Sequence, residues 1–576
     1  MSFWGRQAAD LRSPPPPSLA LWGPMLTRPT ARLVETSPPL SRLRSVRKEI
    51  ITNLKATFKE TDIYKVLQTG DLANLDGLDK DSLGQLPQLK RLRDVLYSKE
   101  FRGFVESVTG KDAFIGPTRL PDLRSGSDEN CRLPILMTSL EGCGELIDKT
   151  DCSCNIYPQG GHLLCHDDVI GTRKVSYILY LTDPEREWES EDGGALALYD
   201  CIGHPNDGTK KLPLPDFHPV KRILPTWNTM AMFAVLPGKS FHDIEEVVVS
   251  DKPRLSISGW WHGEKPPEGS EKATLNQILA KKDVDEESAV AKLDRVDPFV
   301  KFPSAVHAEG WLSADDISHL ARFINPEYLV RGSVERIAEK FVDESHIQLY
   351  KFLNDDLVGH ISRYIKERDQ AEGMFKSEIP KYTSGIGDSW TMRGPTHKQR
   401  FLESAGDGEN NVLVKLKTDC FGSLAFQKLV SCMTKVALNS GRASVRRFRP
   451  GLDYTLAHSG VETAGYQLDA TLCMVEDSEQ WGLGEVGGYD CYMVNDTEAK
   501  GPNNASAEVY SEAAEDDDET VTLPATRNCL NLVLCNEGVM RFTKYISATA
   551  PGSRWDIMNE YEITPDDDEE DGDNKD

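Results

Sequence analysis

Three side chains in the first half of the sequence could hold a metal ion. His166 and Asp168 are separated by one residue, a spacing that places both side chains on one face of a β-strand. His242 lies in a later segment that is also predicted to be a strand. Two imidazoles and one carboxylate on one side of a metal leave its other side open, which is the ligand set of non-haem Fe(II) oxygenases. We therefore predict an iron site formed by these three residues.

An arginine follows in the next predicted strand. Arg254 and Ser256 also have the spacing that puts two side chains on one face. A buried arginine inside a narrow barrel is costly unless an anion neutralises it, and a dicarboxylate offers it bidentate hydrogen bonds. The order of these residues favours an oxygenase that uses an oxo-acid, and a zinc hydrolase is the less favoured alternative.

The same pattern of residues occurs again in the second half of the sequence. Here Gly460 takes the place of Asp168 and Phe542 takes the place of His242, so this copy is predicted to bind no iron. Arg554 would have no bound co-substrate beside it, and we expect it at the surface or in an ion pair. The first copy consists of His166-Asp167-Asp168, Trp188, Gly193-Gly194, Tyr199, Asn228, Gly238, His242 and Arg254. The second consists of His458-Ser459-Gly460, Trp481, Gly487-Gly488, Tyr492, Asn528, Gly538, Phe542 and Arg554.

Two helical blocks, each followed by a block of short strands, are predicted to position these residues. Residues 49–110 are predicted to be helical, with Pro87 near the start of a helix, and Ser313–Leu357 is the second helical block. This order predicts an α+β fold, mainly β, with two tandem double-stranded β-helix (jelly-roll) domains. The first domain is predicted to be catalytic and the second a metal-free duplicate. The predicted strands are Val175–Leu181, Ala195–Tyr199, Thr229–Leu236, Glu245–Val249 and Leu255–Trp261, followed by a second block over Ser444–Glu562.

A chain of 576 residues is too long for one hydrophobic core, so more than one domain is expected. The duplicated pattern indicates where the domains divide. The Arg-rich start resembles a mitochondrial targeting segment, but its Pro14–Pro17 run favours a disordered extension or a wrongly assigned start. The predicted units are the extension over 1–47, the catalytic domain over 48–263, a linker over 264–300 with a helix near Lys272–Leu293, the non-catalytic domain over 301–562 with an acidic loop over 507–519, and an acidic tail over 563–576.

Charge and composition exclude several classes of protein. A net charge of −26 argues against a nucleic-acid binder, including an oxygenase acting on methylated bases, which would need a basic groove. No apolar run is long enough to cross a membrane. The twelve cysteines lack zinc-finger spacing, and we predict that they are reduced thiols.

These motifs are similar to those of the eukaryotic ribosomal prolyl hydroxylases, a family of Fe(II)- and 2-oxoglutarate-dependent dioxygenases. The resemblance extends from about residue 48 to residue 562 and includes the second, metal-free copy. It is carried by Gln159–Leu181 (QGGHLLCHDDVIGTRKVSYILYL), Asp192–Tyr199, Pro225–Asn228, Arg254–Trp260 (RLSISGW), Arg446–Leu456 (RRFRPGLDYTL) and Ala550–Glu562.

The resemblance implies roles for individual residues. His166, Asp168 and His242 would be the catalytic iron ligands. Tyr180 and Arg254 would bind the distal carboxylate of 2-oxoglutarate, to which we add a hydrogen bond from Ser256. The implied cofactors are Fe(II), 2-oxoglutarate, O2 and L-ascorbate.

The resemblance also implies a substrate, a proline of the small-subunit ribosomal protein at the decoding centre. The implied reaction is 3-hydroxylation, with 3,4-dihydroxylation as an open alternative, and it would affect translation termination and fidelity. Further implied partners are translation termination factors and the poly(A)-binding protein, in the nucleus and cytoplasm, without direct binding of nucleic acid or membrane. A hypothesis of a different class is an oxygen-responsive regulatory protein that binds a partner through the C-terminal domain. The sequence leaves open whether that domain stabilises the first or recognises other proteins.

Overall fold

The computed structural model describes most of the two predicted domains. The predicted helix near Lys272–Leu293, the acidic loop 507–519, the tail beyond residue 564 and His458–Gly460 lie outside the described residues. The described residues are 40–49, 71–74, 86–109, 135–137, 143–202, 214–270, 297–307, 310–387, 389–404, 411–457, 465–494 and 520–564.

Helices near the start of the described chain pack against the first sheet. Pro87 occupies the first position of its helix, as predicted, and Leu89 and Leu92 belong to the buried face. That helix ends before Ser98, whose hydroxyl caps the next helix by accepting a hydrogen bond from the backbone N–H of Phe101 at 3.2 Å. The helices are α1 (Leu40–Glu49), α2 (Pro87–Leu96) and α3 (Lys99–Val108).

Helix α1 shows that the folded region begins earlier than predicted. Nε of Arg47 donates to the carbonyl oxygens of Leu181 and Thr182, each at 3.0 Å, and Val46 is buried. Residues 40–47, which were predicted to belong to the extension, are therefore helical, and Val46 and Arg47 contact the domain. The prediction of helix across 49–110 is also wrong at Asp71–Asn74, which is a strand paired with a neighbouring strand of the sheet.

The strands of the first half form two sheets. They are β1 (Asp71–Asn74), β2 (Ile135–Met137), β3 (Ser153–Tyr157), β4 (Leu163–His166), β5 (Arg173–Tyr180), β6 (Leu196–Ile202), β7 (Leu214–Ile223), β8 (Met230–Ala234), β9 (His242–Ile244) and β10 (Arg254–His262). The six-stranded sheet has the order β1-β3-β10-β5-β8-β2, and the four-stranded sheet has the order β4-β9-β6-β7. Pairing is antiparallel except between β2 and β8.

The two sheets face each other, as in a jelly roll. Side chains of β5 alternate between two layers: Ile178 and Tyr180 pack against Leu198 of the opposite sheet, whereas Tyr177 and Leu179 pack under the helices. Strand β5 is therefore buried on both faces, which explains why its sequence is an almost continuous apolar run.

Four of the five predicted strands of this half are confirmed as β5, β6, β8 and β10. The prediction of a strand over Glu245–Val249 is wrong, because the neighbouring strand β9 ends before it. Residues in this segment hydrogen-bond to two stretches, residues 160–161 and 192–195, through an isolated bridge rather than as part of a continuous strand. The backbone N–H of Val247 donates to the carbonyl of Gly161, and that of Val248 donates to the carbonyl of Asp192, both at 2.9 Å.

The second half repeats this layering with a larger sheet. Phe341 and Phe426 on its helices pack against Leu472, Leu532 and Ile557 on the sheet. The predicted helical block is confirmed, with one strand inserted within it. The helices are α4 (Ala314–Leu320), α5 (Arg331–Glu344), α6 (Asp355–Ala371), α7 (Val412–Leu416), α8 (Leu424–Thr434) and α9 (Glu479–Gly482).

Strands of the second half begin before Ser444, the predicted start of the block. They are β11 (Val300–Val306), β12 (His346–Tyr350), β13 (Trp390–Arg393), β14 (Gln399–Ser404), β15 (Ala437–Phe448), β16 (Tyr454–Thr455), β17 (Gln467–Met474), β18 (Asp490–Val494), β19 (Val521–Leu523), β20 (Cys529–Cys535), β21 (Val539–Thr543) and β22 (Arg554–Thr564). The nine-stranded sheet follows β12-β20-β17-β22-β15-β14-β13, with β11 beside β15 and β16 beside β14. The smaller sheet has the order β19-β18-β21.

Two predictions made from the composition can be compared with the described residues. The described cysteines are all free, which confirms the prediction of reduced thiols for that part of the molecule. Across the described ranges, no helix combines the length and the apolar character needed to span a membrane.

Candidate active site

Strands β4 and β9 bring the two histidines of the predicted site together. His166 pairs directly with His242 across these antiparallel strands, and the centroids of the two rings are 4.2 Å apart. Residues directly opposite each other in an antiparallel pair project their side chains from the same face of the sheet. One strand pair thus joins two residues that are far apart in the sequence.

Asp168 reaches the same point through a turn rather than through strand alternation. Strand β4 ends at His166, and Asp168 has a left-handed φ of 60°, so the prediction that both belong to one strand is wrong. The turn nevertheless directs the carboxylate to the histidines. Its oxygens lie 3.4 Å from Nε2 of His166 and 3.6 Å from Nε2 of His242. The three potential ligand atoms lie within 4.8 Å of one another.

The hydrogen bonds of the two imidazoles favour a cation at this point. Nδ1 of His166 lies 2.8 Å from the carbonyl of Leu164, and Nδ1 of His242 lies 2.8 Å from that of Ser240. A carbonyl only accepts, so each Nδ1 carries a proton, and in a neutral ring Nε2 then presents the lone pair. Burial, with the nearby His166, lowers the pKa of His242 to about 4, so this ring is neutral at pH 7. Two imidazoles and a carboxylate that converge on one point in this way are a donor set that suits a divalent cation.

Trp260 fixes the orientation of the carboxylate. Its indole N–H donates to Oδ2 of Asp168 at 3.0 Å, and the guanidinium carbon of Arg173 lies 3.4 Å from the centroid of the indole. Such supporting hydrogen bonds orient a ligand and tune its affinity for the metal. The spacing of residues in the sequence identifies neither side chain. Trp260 lies on β10 and reaches Asp168 in the turn after β4, whereas its contact with Arg173 arises from the pairing of β10 with β5.

The predicted anion site lies on β10 and β5. Arg254 is fully buried, and its Nε donates to the carbonyl of Gly194 at 2.8 Å. Its Nη2 and the hydroxyl of Tyr180 are both buried without a hydrogen-bond partner among the described residues. The guanidinium carbon lies 5.1 Å from the ring centroid of Tyr180, and Oγ of Ser256 is 3.5 Å from Nη1, a long contact. The structure therefore brings together all three residues predicted to bind the co-substrate.

A buried guanidinium without a counter-ion is costly, and within the described part of the chain no acidic side chain pairs with Arg254. A small dicarboxylate would supply the missing charge and accept from both unpartnered donors. Gly194 makes the close packing around the arginine possible. Its φ is 67°, and a Cβ at this position would lie 3.1 Å from Cδ of Arg254. The donor set and the unpartnered groups thus fit Fe(II) and 2-oxoglutarate.

Both halves of the chain match known protein families. Residues 152–262 match the 2OG-Fe(II) oxygenase superfamily, and residues 315–570 match the family described as oxoglutarate and iron-dependent oxygenase degradation C-term. Among solved structures, a prolyl-4-hydroxylase of Pseudomonas putida is similar with a TM-score of 0.26 and 12% identity, covering 40% of this chain and 99% of that one.

Two relatives match nearly the whole chain. The prolyl 3,4-dihydroxylase OGFOD1 of Ostreococcus tauri is 37% identical over 533 residues, which cover 90% of this chain and 92% of the relative. The prolyl 3-hydroxylase OGFOD1 of Xenopus laevis is 28% identical over 528 residues, which cover 87% and 80%. The oxygenase superfamily uses Fe(II), 2-oxoglutarate and O2, for which the cluster of two histidines and one aspartate provides a candidate metal site. The chain belongs to the OGFOD1 family of Fe(II)- and 2-oxoglutarate-dependent prolyl hydroxylases.

Proposed function

We propose that this protein hydroxylates C3 of a proline in the small-subunit ribosomal protein at the decoding centre. The observation that carries the chemistry is a cluster of two histidines and an aspartate in the same barrel as the buried Arg254, which has no acidic partner among the described residues. The names of the relatives, prolyl 3-hydroxylase and prolyl 3,4-dihydroxylase, support proline as the substrate. The resemblance of the motifs to those of the ribosomal prolyl hydroxylases supports a ribosomal protein as the carrier of that proline. Both one and two added hydroxyl groups are compatible with these relatives.

Each residue of the site has a defined role in this proposal. His166 and His242 bind Fe(II) through Nε2, and Asp168 binds it through its carboxylate. The bound iron supplies the oxidising chemistry, in which one atom of O2 enters the prolyl C–H bond and the other enters succinate as 2-oxoglutarate loses CO2. Arg254 and Tyr180 hold the distal carboxylate of the co-substrate, with Ser256 beside them, and burial excludes water from the reacting groups. L-ascorbate, as the reductant that maintains Fe(II), belongs to the same proposal.

Mass spectrometry tests the substrate directly. The purified protein is incubated with Fe(II), 2-oxoglutarate, ascorbate and a peptide that carries the decoding-centre proline. We expect the peptide to gain one oxygen atom, or two for a dihydroxylase, and we expect an otherwise identical peptide with alanine in place of that proline to stay unchanged. Consumption of 2-oxoglutarate that depends on the peptide, without a gain of oxygen by its proline, would refute the proposed substrate.

Partners and location form a second part of the proposal and rest on the motif resemblance. The proposed partners are translation termination factors and the poly(A)-binding protein. The proposed location is the nucleus and cytoplasm. The alternative is an oxygen-responsive regulator that acts through its C-terminal domain. Its function would depend little on turnover, whereas that of a hydroxylase requires it. In cells that lack the protein, an Asp168→Ala variant should fail to restore function if hydroxylation is required, and should restore it if binding alone suffices.

We also propose that the second domain is a metal-free duplicate of the first. Arg554, the counterpart of Arg254, is buried and pairs with Asp490 at 2.6 Å and with Asp556 at 3.1 Å. The prediction of an ion pair is thus confirmed, and the alternative of a surface position is wrong. Asp556 occupies the position in the second copy of the pattern that Ser256 occupies in the first copy. The second domain therefore supplies from its own chain the negative charge that a bound co-substrate would supply in the first.

The aligned ligand positions support the same conclusion. Phe542 stands in β21 where the first domain has His242, and its half-buried ring cannot bind a metal. The counterparts of the other two ligands lie outside the described residues.

The internal carboxylates should make a large contribution to the stability of the second domain. Asp490→Asn leaves the side chain almost unchanged in size but removes one of the two charges paired with the buried Arg554. We expect the free energy of unfolding to fall by about 3 kcal/mol, because the buried arginine loses the nearer of its two charged partners. The matched control is Asp477→Asn, which removes the partner of Arg527 in an exposed ion pair and should cost at most about 1 kcal/mol. Equal effects in urea-induced unfolding would contradict this account.

A further inference from the structure

The second domain covers the outer face of the four-stranded sheet, opposite the candidate active site. Phe241 and Asp243 flank His242 in the chain, and side chains alternate between the faces of a strand. The ring of Phe241 lies 5.4 Å from that of His397, and Oγ1 of Thr396 donates to a carbonyl of β7 at 2.9 Å. Both of these partners belong to the second half of the chain. The strand that presents His242 is therefore in contact with the second domain.

A buried chain of side chains joins the second domain to the neighbour of His242. The hydroxyl of Tyr199 donates to Oδ2 of Asp243 at 2.5 Å, and Nη1 of Arg400 donates to the oxygen of Tyr199 at 3.2 Å. Arg400 is itself held by two hydrogen bonds to the carbonyl of Leu452, at 2.6 and 2.9 Å. Arg400, Tyr199 and Asp243 are all at least 95% buried. Water is thus excluded from the connection, and a lost partner could not be replaced by solvent.

The residues that follow β9 are anchored to the second domain as well. The carboxylate of Glu246 is fully buried and accepts hydrogen bonds from the hydroxyl of Ser547 at 2.5 Å and the backbone N–H of Ala548 at 2.6 Å. The hydroxyl of Tyr382 donates to Glu245 at 3.1 Å. Asp243, Glu245 and Glu246 at the end of this strand therefore all contact the second domain, directly or through one side chain.

We propose that Tyr199 and Arg400 are positioning residues for the metal ligand His242, so that the second domain sets the metal affinity of the first. The proposal rests on the proposed role of His242 as an iron ligand. Strand β9 has only three residues, so its own ladder provides few hydrogen bonds to fix it. A metal ligand must be held to within about 0.5 Å of its productive position, and groups behind the ligand supply that restraint. The chain from Arg400 to Asp243 is such a support, built from the other domain.

Metal binding by the protein freed of metal tests this proposal without any turnover. We expect Tyr199→Phe, which removes only one hydroxyl, to raise the dissociation constant for Mn(II) about 10- to 100-fold, as measured by electron paramagnetic resonance. Arg400→Met should raise it in the same range, although the substituted residue lies in the other domain. Thermal unfolding of each variant establishes that the protein is folded when Mn(II) is titrated.

The second copy of the repeat provides the matched control. Tyr492 is the counterpart of Tyr199, is equally buried, and donates its hydroxyl to Asp469 at 3.2 Å within the second domain. Tyr492→Phe removes the same group from a similar environment and should leave the Mn(II) dissociation constant at the wild-type value. The proposal is overturned if Tyr199→Phe binds Mn(II) like the wild type, or if Tyr492→Phe weakens binding as much. If His242→Ala also binds Mn(II) normally, the assignment of the metal site itself fails.

Discussion

The His242→Ala variant is expected to lose iron binding and peptide-dependent succinate release together. Loss of a supporting hydrogen bond behind a metal ligand typically costs 10- to 100-fold in affinity, so loss of the ligand itself should cost more than about 100-fold. The same result is expected for His166→Ala and Asp168→Ala, because all three ligand atoms converge on one point. Titration with Mn(II) measures the binding, and a coupled assay for succinate measures the turnover.

Another buried histidine of the same domain serves as the control. His262 is also almost fully buried, but its Nε2 lies 3.0 Å from Asp151 and its Nδ1 lies 2.9 Å from the hydroxyl of Thr172. His262→Gln should therefore lower stability without abolishing metal binding. Normal succinate release by His242→Ala, or complete loss of Mn(II) binding by a folded His262→Gln variant, would contradict the proposed ligand set.

Arg254→Met is expected to raise the KM for 2-oxoglutarate roughly 10- to 100-fold, because hydrogen bonds to a charged group contribute about 1.5–3 kcal/mol each. At saturating co-substrate, kcat should stay close to that of the wild type. Without co-substrate, the same variant should unfold with a free energy within about 1 kcal/mol of the wild type, since no counter-ion of the arginine is found in the described part of the chain. Steady-state kinetics and denaturant unfolding measure the two effects separately.

The equivalent change in the second domain should behave in the opposite way. Arg554→Met removes the cation paired with the buried carboxylate of Asp490, whereas Asp556 keeps its ion pair with Arg446. It should therefore cost about 3–5 kcal/mol of stability. The Arg554→Met molecules that remain folded should have the same KM for 2-oxoglutarate as the wild type. A large loss of stability in Arg254→Met without co-substrate would show that the first barrel neutralises its own arginine, contrary to our account.

The candidate site could be found from the sequence because the chain carries two copies of one pattern. Comparing the copies singles out Asp168 and His242 as the ligand positions that differ, while Arg254 is common to both. Strand periodicity also located β5, β6, β8 and β10, whose apolar runs are buried. Local patterns were sufficient here because a buried strand is made of apolar residues, which are visible in the local sequence.

Features that depend on contacts between distant residues could not be predicted. Asp168 enters the site through a left-handed turn, and no neighbouring glycine or proline marks that conformation in advance. The hydrogen bond from Arg400 to Tyr199 joins residues 201 positions apart, so neither periodicity nor spacing indicates it. The contacts of Glu245 and Glu246 with the second domain could not be predicted either, because they too join residues far apart in the sequence.

Crystals grown with Mn(II) and a non-reactive analogue of 2-oxoglutarate provide the most direct test, because anomalous scattering locates the metal independently of turnover. We predict one strong anomalous peak in each chain, coordinated by His166, Asp168 and His242, with the distal carboxylate of the analogue on Arg254. A peak inside the second domain, or an analogue bound away from Arg254, would contradict the central claim that the first barrel alone forms the iron and 2-oxoglutarate site.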